Sequence, residues 1–222
     1  SVTVAVSGTC TGFAFPYTLA GANNTARVAS LRQAIQCANL NGTADSIDLN
    51  AQTVTLSDAF ADYTGATGLP QITTEITLEN GSVTRDSGAA QFRFLAVSST
   101  GSLVLDGVNL SSGSLGNLFN AGAIYNDGGM LTLRASALSG NSAGFGGAIY
   151  NLGSVMAINS QFTGNSASQN SGFLMNDNAT ATIIGSTISG NSSSGVAGNG
   201  AIYNANGALD IIDSTVSGNT ST

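Results

Sequence analysis

The sequence predicts an all-β fold, a right-handed parallel β-helix wound as a solenoid of short strands, and three observations carry that prediction. First, two different phrases repeat in phase through the C-terminal half. Gly122-Ala-Ile-Tyr-Asn126 recurs at Gly147–Asn151 and Gly200–Asn204, with the variant Gly172-Phe-Leu-Met-Asn176, at steps of 25, 25 and 28 residues. Leu138-Ser-Gly-Asn141, Phe162-Thr-Gly-Asn165, Ile188-Ser-Gly-Asn191 and Val216-Ser-Gly-Asn219 follow at steps of 24, 26 and 28. Second, each repeat divides into three short β-type runs, such as Ala148–Tyr150, Val155–Ile158 and Ser160–Thr163. Glycine and asparagine, suited to left-handed corners, separate them. Third, 29 glycines with Ser-Gly and Asn-Gly corners oppose helical repeats of the same length. The general chirality of parallel crossovers makes the coil right-handed.

Stacked coils turn sequence columns into contacts, because equivalent positions lie one above another about 4.8 Å apart. Three columns are expected to be buried aliphatic ladders: Ile124, Ile149, Leu174, Ile202; Leu138, Phe162, Ile188, Val216; and Leu133, Ile158, Ile184, Ile212. Asn126, Asn151, Asn176, Asn204 and Asn141, Asn165, Asn191, Asn219 are expected to be corner ladders whose amides satisfy backbone groups left unpaired at the turns. Ser136, Ser160, Ser186 and Ser214 form a further column that points inward. The parity of the run Met130–Leu133 stays open, since its apolar positions drift between repeats.

Along the chain, Ser1–Val6 alternates as a strand through Val2, Val4 and Val6. Ala26–Asn39 places Val28, Leu31, Ile35 and Ala38 on one helical face, with Asn24 or Thr25 as cap and Asn41-Gly42 as stop. Such a helix covers the apolar end and open edges of the first coil. Ser46–Leu49 with Val54–Leu56, Ile72–Leu78, and Arg93–Val97 with Ser102–Leu105 and Val108–Leu110 read as earlier coils. Ser57–Leu69 reads as a lateral loop. The count is about seven coils, a stack roughly 34 Å tall. Residues 1–45 are thus the N-terminal strand and capping helix, and 46–222 the solenoid. No matching lid is expected over Ser217–Thr222, so the last coil's backbone groups and aliphatic columns read as uncovered.

Composition removes whole classes of function. Only 8% of the 222 residues are charged while 42% are hydrophobic, and the net charge is −7 with five cations, all arginine. A nucleic-acid groove or an anionic-lipid surface does not fit that balance. Histidine is absent, which removes the Ser-His and Cys-His nucleophile systems and most transition-metal sites. No apolar run reaches about 18 residues, so no membrane insertion is expected, and the N-terminus lacks signal-peptide regions and reads as already processed. Cys10 and Cys37 are compatible with one bridge or with two buried thiols. A lysine-free chain rich in Asn, Ser, Thr and Gly reads as exported, extracellular or at a cell surface, which favours the bridge.

Candidate chemistry is thin. Asp106, Arg134, Asn159, Gly185 and Asp213 fall in one expected column, with Asp106 and Arg134 as a surface ion pair. Asp210 and Asp213 with Asp177 or Asp127 are scattered for a calcium loop, and Asp45, Asp48, Asp58 and Asp62 read as a solvated acidic rim. No catalytic residue, metal or cofactor is expected. Tyr125, Tyr150 and Tyr203 recur beside the ladder isoleucines, either as a stripe that stacks on sugar rings or as half-buried packing. Rows of Ser and Thr on a flat β face are also a feature of ice-binding solenoids, but no strict Thr-x-Thr column persists in the sequence.

Ala29–Asn39, followed by Asp45–Leu49 and Val54–Leu56, resembles the N-terminal "CSLREA" domain of bacterial surface β-helix proteins. The first cysteine of that signature is Ala29 here and its glutamate is Gln33. Gly146-Gly-Ala-Ile149 and Phe162-Thr-Gly-Asn165 are similar to the GGA(I/L/V) and FxxN repeats of polymorphic outer-membrane-type adhesins. Together these resemblances imply a pectin-lyase-like right-handed β-helix, exported and surface-associated, and no particular reaction.

The expected function is therefore a non-catalytic exported structural protein. Its partner is another copy of itself, joined head to tail into a filament or surface layer through Leu209, Ile211 and Val216 of the open coil and the Val2, Val4, Val6 strand. An adhesin fragment binding surface glycans, and a polysaccharide lyase or hydrolase, are the alternatives.

Overall fold

The computed structural model describes residues 10, 13–195 and 198–222. It is a parallel β-solenoid of about 8 turns with, among the described residues, one helix, α1 (Asn24–Asn41). The expected strand through Val2, Val4 and Val6 lies outside the described residues.

Each complete turn has four faces rather than the three runs read from sequence. In the turn that begins at Gly122 the strands are Ile124–Asn126, Met130–Arg134, Ala137–Ser139 and Ser142–Phe145, called here the first to fourth faces. The fourth is the one that sequence reading missed. Its members, Ser142–Phe145, Ser166–Asn170, Ser192–Ser193 and Thr220–Ser221, are built from Ser, Ala, Gly, Gln, Asn and Thr around one Phe, so intrinsic β preference is weak and the pairing with the turn below decides. In the earlier turns Glu75–Arg85 and Ser102–Ser111 run through the second and third faces unbroken. Later turns break there at Ala135, Asn159, Gly185 and Asp213, all with positive φ.

Register follows the phrases. Ile124, Ile149, Leu174 and Ile202 pair in sequence, as do Leu138, Phe162, Ile188 and Val216. Below the last turn both ladders are fully buried, and Phe162 stacks on Phe173 at 4.0 Å between centroids. The third expected ladder is wrong by one residue. Leu133 lies on Ala157, Ile183 and Ile211, whereas Ile158, Ile184 and Ile212 continue the column of Asp106 and Arg134. The parity counts backwards from the left-handed corner, which hydrophobicity does not mark: in one turn the core slot is Ala157 beside an outer Ile158, and in the next two both slots are isoleucine. For the same reason Asn159, Gly185 and Asp213 leave the predicted acidic column for the corner. Asp106 and Arg134 are neighbours, yet no ion pair joins them; Arg32–Asp58 at 3.2 Å is the pair formed among the described residues.

The corners hold buried polar ladders. Asn165 Nδ2 donates to Asn191 Oδ1 at 2.9 Å and to Leu138 O at 3.0 Å, while its Oδ1 accepts from Asn141 N and Nδ2, both at 3.0 Å. Asn126, Asn151, Asn176 and Asn204 are linked amide to amide at 2.6–2.7 Å. Ser136, Ser160, Ser186 and Ser214 form a third ladder, each backbone N–H of the lower three donating to the hydroxyl above it at 3.0–3.2 Å. Every one of these groups would otherwise be an unpaired donor or acceptor inside a turn.

The base is closed. Helix α1 buries Leu31, Ala34, Ile35 and Ala38 on the first turn, with Val28 only half-buried. Its cap is Asn23, one residue before the expected Asn24, and accepts from Ala26 N at 3.0 Å. Asn24 instead faces an open strand edge, where it donates to Thr55 O at 2.7 Å and accepts from Thr55 N at 2.8 Å, replacing the strand that the edge lacks. Asn39 does the same for Gln71 O and Thr73 N at 2.7 and 2.9 Å. Tyr17–Thr18 pairs with Ile47–Asp48 along the remaining edge. Cys10 and Cys37 are disulfide-bonded, Cα to Cα 5.6 Å, tying the N-terminal segment to α1.

The expected lateral loop is partly structural. Ala61–Asp62 and Ala66–Thr67 make a small hairpin, after which Thr67 and Leu69 are fully buried as the first-face layer beneath Arg93–Phe94.

Candidate assembly surface at the open rung

The last turn is made of Ile202–Ala205, Ala208–Ile212, Thr215–Ser217 and Thr220–Ser221, and each of these strands has a neighbour on one side only. Its side chains show the consequence. Ile183 and Ile188 are fully buried, whereas Ile211 and Val216 directly above them are 41% and 53% exposed. Ile202, Leu209, Ile211 and Val216 floor a concavity of about 420 Å³, with Asn204 and Asn219 at its corners.

The polar ladders are also unfinished there. Asn141, Asn165 and Asn191 each donate their backbone N–H to the side-chain oxygen of the asparagine in the next turn, at 2.9–3.0 Å. Gly140, Gly164 and Gly190 each donate to a carbonyl of the next turn at 3.1–3.2 Å. Gly218 N–H and Asn219 N–H are the next donors in these series, and no acceptor stands above them among the described residues. Among the described residues, these two N–H donors and the apolar floor thus lie at the spacing at which one further rung pairs.

The tyrosine row has a different environment from a sugar platform. Tyr125 is buried, tilted against Tyr150 at 5.8 Å, with the Arg93 guanidinium 5.0 Å from its ring centre. Tyr150 donates to Asp177 Oδ2 at 2.7 Å. Met175 stands between Tyr150 and Tyr203 in the column, so the stripe is interrupted. Burial raises the Tyr125 phenol above its ordinary range, helped by Asp127, and burial with the Asp177 hydrogen bond raises Tyr150 further. Arg93, fully buried, donates to Thr64 O at 2.8 Å, and burial pulls it down to about 10. Gly65, at φ 135°, leaves the space the guanidinium occupies: a Cβ there would collide with Nη2. This buried cation is invisible in sequence, because it contacts a carbonyl and a ring and forms no ion pair, Asp62 acting on it only through its charge.

The aspartates weighed as metal ligands do not converge: no group of three metal-ligating side chains is formed among the described residues. No helix among them is long and apolar enough to cross a membrane. No protein-family model, curated protein or solved structure matches the chain.

Proposed function

We propose that this chain is a non-catalytic, exported structural solenoid that polymerises by adding a second copy to its open rung. The observation that carries the reading is the asymmetry of the two ends. The base has its edge groups answered by α1, Tyr17–Thr18, Asn24 and Asn39, while the top presents an exposed Ile211 and Val216 and, among the described residues, unanswered N–H groups at Gly218 and Asn219. A contact of unlike ends that continues the stack along the solenoid axis does not close into a ring and so grows linearly.

Because α1 covers the base, the incoming copy is proposed to contribute its N-terminal segment, in whose sequence Val2, Val4 and Val6 alternate and so suit strand addition onto the apolar floor. Export is supported by the Cys10–Cys37 bridge, which persists in oxidising compartments, and by the resemblance of Ala29–Asn39 and of the GGAI and FxxN phrases to bacterial surface β-helix proteins.

The test is electron microscopy and sedimentation of the purified chain across a concentration series, beside Ile211→Asp and Val216→Asp. Both side chains are exposed, so the monomer keeps its fold while a charge enters the would-be interface. Filaments or growing oligomers in the parent, lost in both variants, are expected. A monodisperse monomer at every concentration refutes the proposal.

A further inference from the structure

The third face carries an ordered hydroxyl array, of which the repeated phrase shows only the later part and the register shows the whole. The register places Thr55, Thr84, Ser111, Ser139, Thr163, Ser189 and Ser217 in one outward column, a hydroxyl in every turn. Two residues earlier in each strand, Thr53, Ser82, Asn109, Ala137, Gln161, Thr187 and Thr215 form the parallel column. Eleven of these fourteen positions are Ser or Thr, and none is charged although the chain carries a net charge of −7. Ser139, Thr163, Ser189 and Ser217 recur in the repeated phrase, whereas Thr55, Thr84 and Ser111 lie outside it and join the column only through the register.

Two further properties separate this face from ordinary polar surface. Its hydroxyls are largely left to the outside: Thr84 and Ser111 are the members of the continuous column whose side chains bond within the protein. Thr55, Ser139, Thr163, Ser189 and Ser217 have no side-chain partner among the described residues. Its spacing is also fixed from within. In the later turns each strand is clamped at its start by the buried Ser136–Ser160–Ser186–Ser214 ladder and at its end by the Asn141–Asn165–Asn191–Asn219 ladder. The side chain between the two outward residues is a fully buried Leu138, Phe162 or Ile188.

The result is a rigid, neutral grid with about 4.8 Å between turns and about 6.7 Å between the two columns, running about 29 Å over seven rungs. Those two repeats approach the spacings of oxygen atoms on the prism faces of hexagonal ice. A neutral lattice of water meets a neutral lattice of hydroxyls here with no charge to desolvate and no side chain of the continuous column larger than threonine. We infer that the third face binds ice, its hydroxyl columns taking the place of lattice water at a growing crystal face. This function is additional to assembly and does not depend on it, although a filament would lengthen the same grid.

The experiment measures the gap between melting and freezing temperature, and the coarsening of polycrystalline ice, for the full chain and for Thr163→Lys and Ser189→Lys. Thr182→Lys, outward on the second face, is the control, and circular dichroism melts confirm that all four proteins fold alike. The expected result is faceted crystals and slowed coarsening with the parent and with Thr182→Lys, and loss of both with the two third-face variants. Ice growth indistinguishable from buffer, equal loss on both faces, or retention on an insoluble neutral polysaccharide without any effect on ice would each overturn the assignment.

Discussion

The smallest decisive unit is the buried asparagine. Asn165 uses all its hydrogen-bonding capacity inside the turn, so replacing it leaves Asn141 N–H and Leu138 C=O without that partner in a dry corner and takes one donor from Asn191 Oδ1. At roughly 1–3 kcal/mol for each orphaned group, Asn165→Ala is expected to cost about 3 kcal/mol, read as a lowered urea midpoint, while the exposed Gln161→Ala changes it little. Tyrosine gives a second residue-scale expectation. Tyr125 and Tyr150 hold their protons more tightly folded than unfolded, so both states bind equal protons at neutral pH. Above the ordinary value of 10.0 the unfolded chain binds fewer, and stability falls as pH rises. Arg93 works in the opposite sense, since its buried charge opposes folding until it is lost. Tyr150→Phe is expected to flatten the alkaline fall, measured by chemical unfolding across pH. The asparagine ladders were legible because the residue type and the repeat coincide. Arg93 was not, because only packing brings Thr64, Gly65 and Tyr125 around it.

At the scale of elements, the contrast is between strands that declare themselves and strands that are recruited. The runs containing Ile124, Leu138 and Phe162 are visible from apolar side chains between left-handed corners. Ser142–Phe145 and Ser166–Asn170 become strands because parallel neighbours already offer an edge. The second-face parity failed at Ile158 and Ile184 for a related reason: the outer slot tolerates an isoleucine and the core slot an alanine, so hydrophobicity does not fix the register and the corner does. Helix α1 was legible from its apolar spacing, but its function as a strand substitute was hidden, since an asparagine on a helix surface carries no sign of the edge it will meet. Asn39→Ala removes both bonds to Gln71 and Thr73. The expected outcome is faster amide exchange confined to Gln71–Thr74 and the base of the stack, with the turns beyond Gly122 unchanged, because contacts in a solenoid are between neighbours.

For the molecule as a whole, the repeat determined the solenoid, its polar corner ladders and the columns that run through Ile202 and Val216. A period shared by two phrases forces like residues to stack whatever the local detail. The tertiary structure alone decided the fourth face, the closure of the base by Asn24 and Asn39, the burial of Arg93 and Tyr125, and the alignment of Thr55, Thr84 and Ser111 with the later third-face hydroxyls. Each of these depends on which residues of different turns come to lie at one height, and unequal turn lengths keep that height from being counted along the chain.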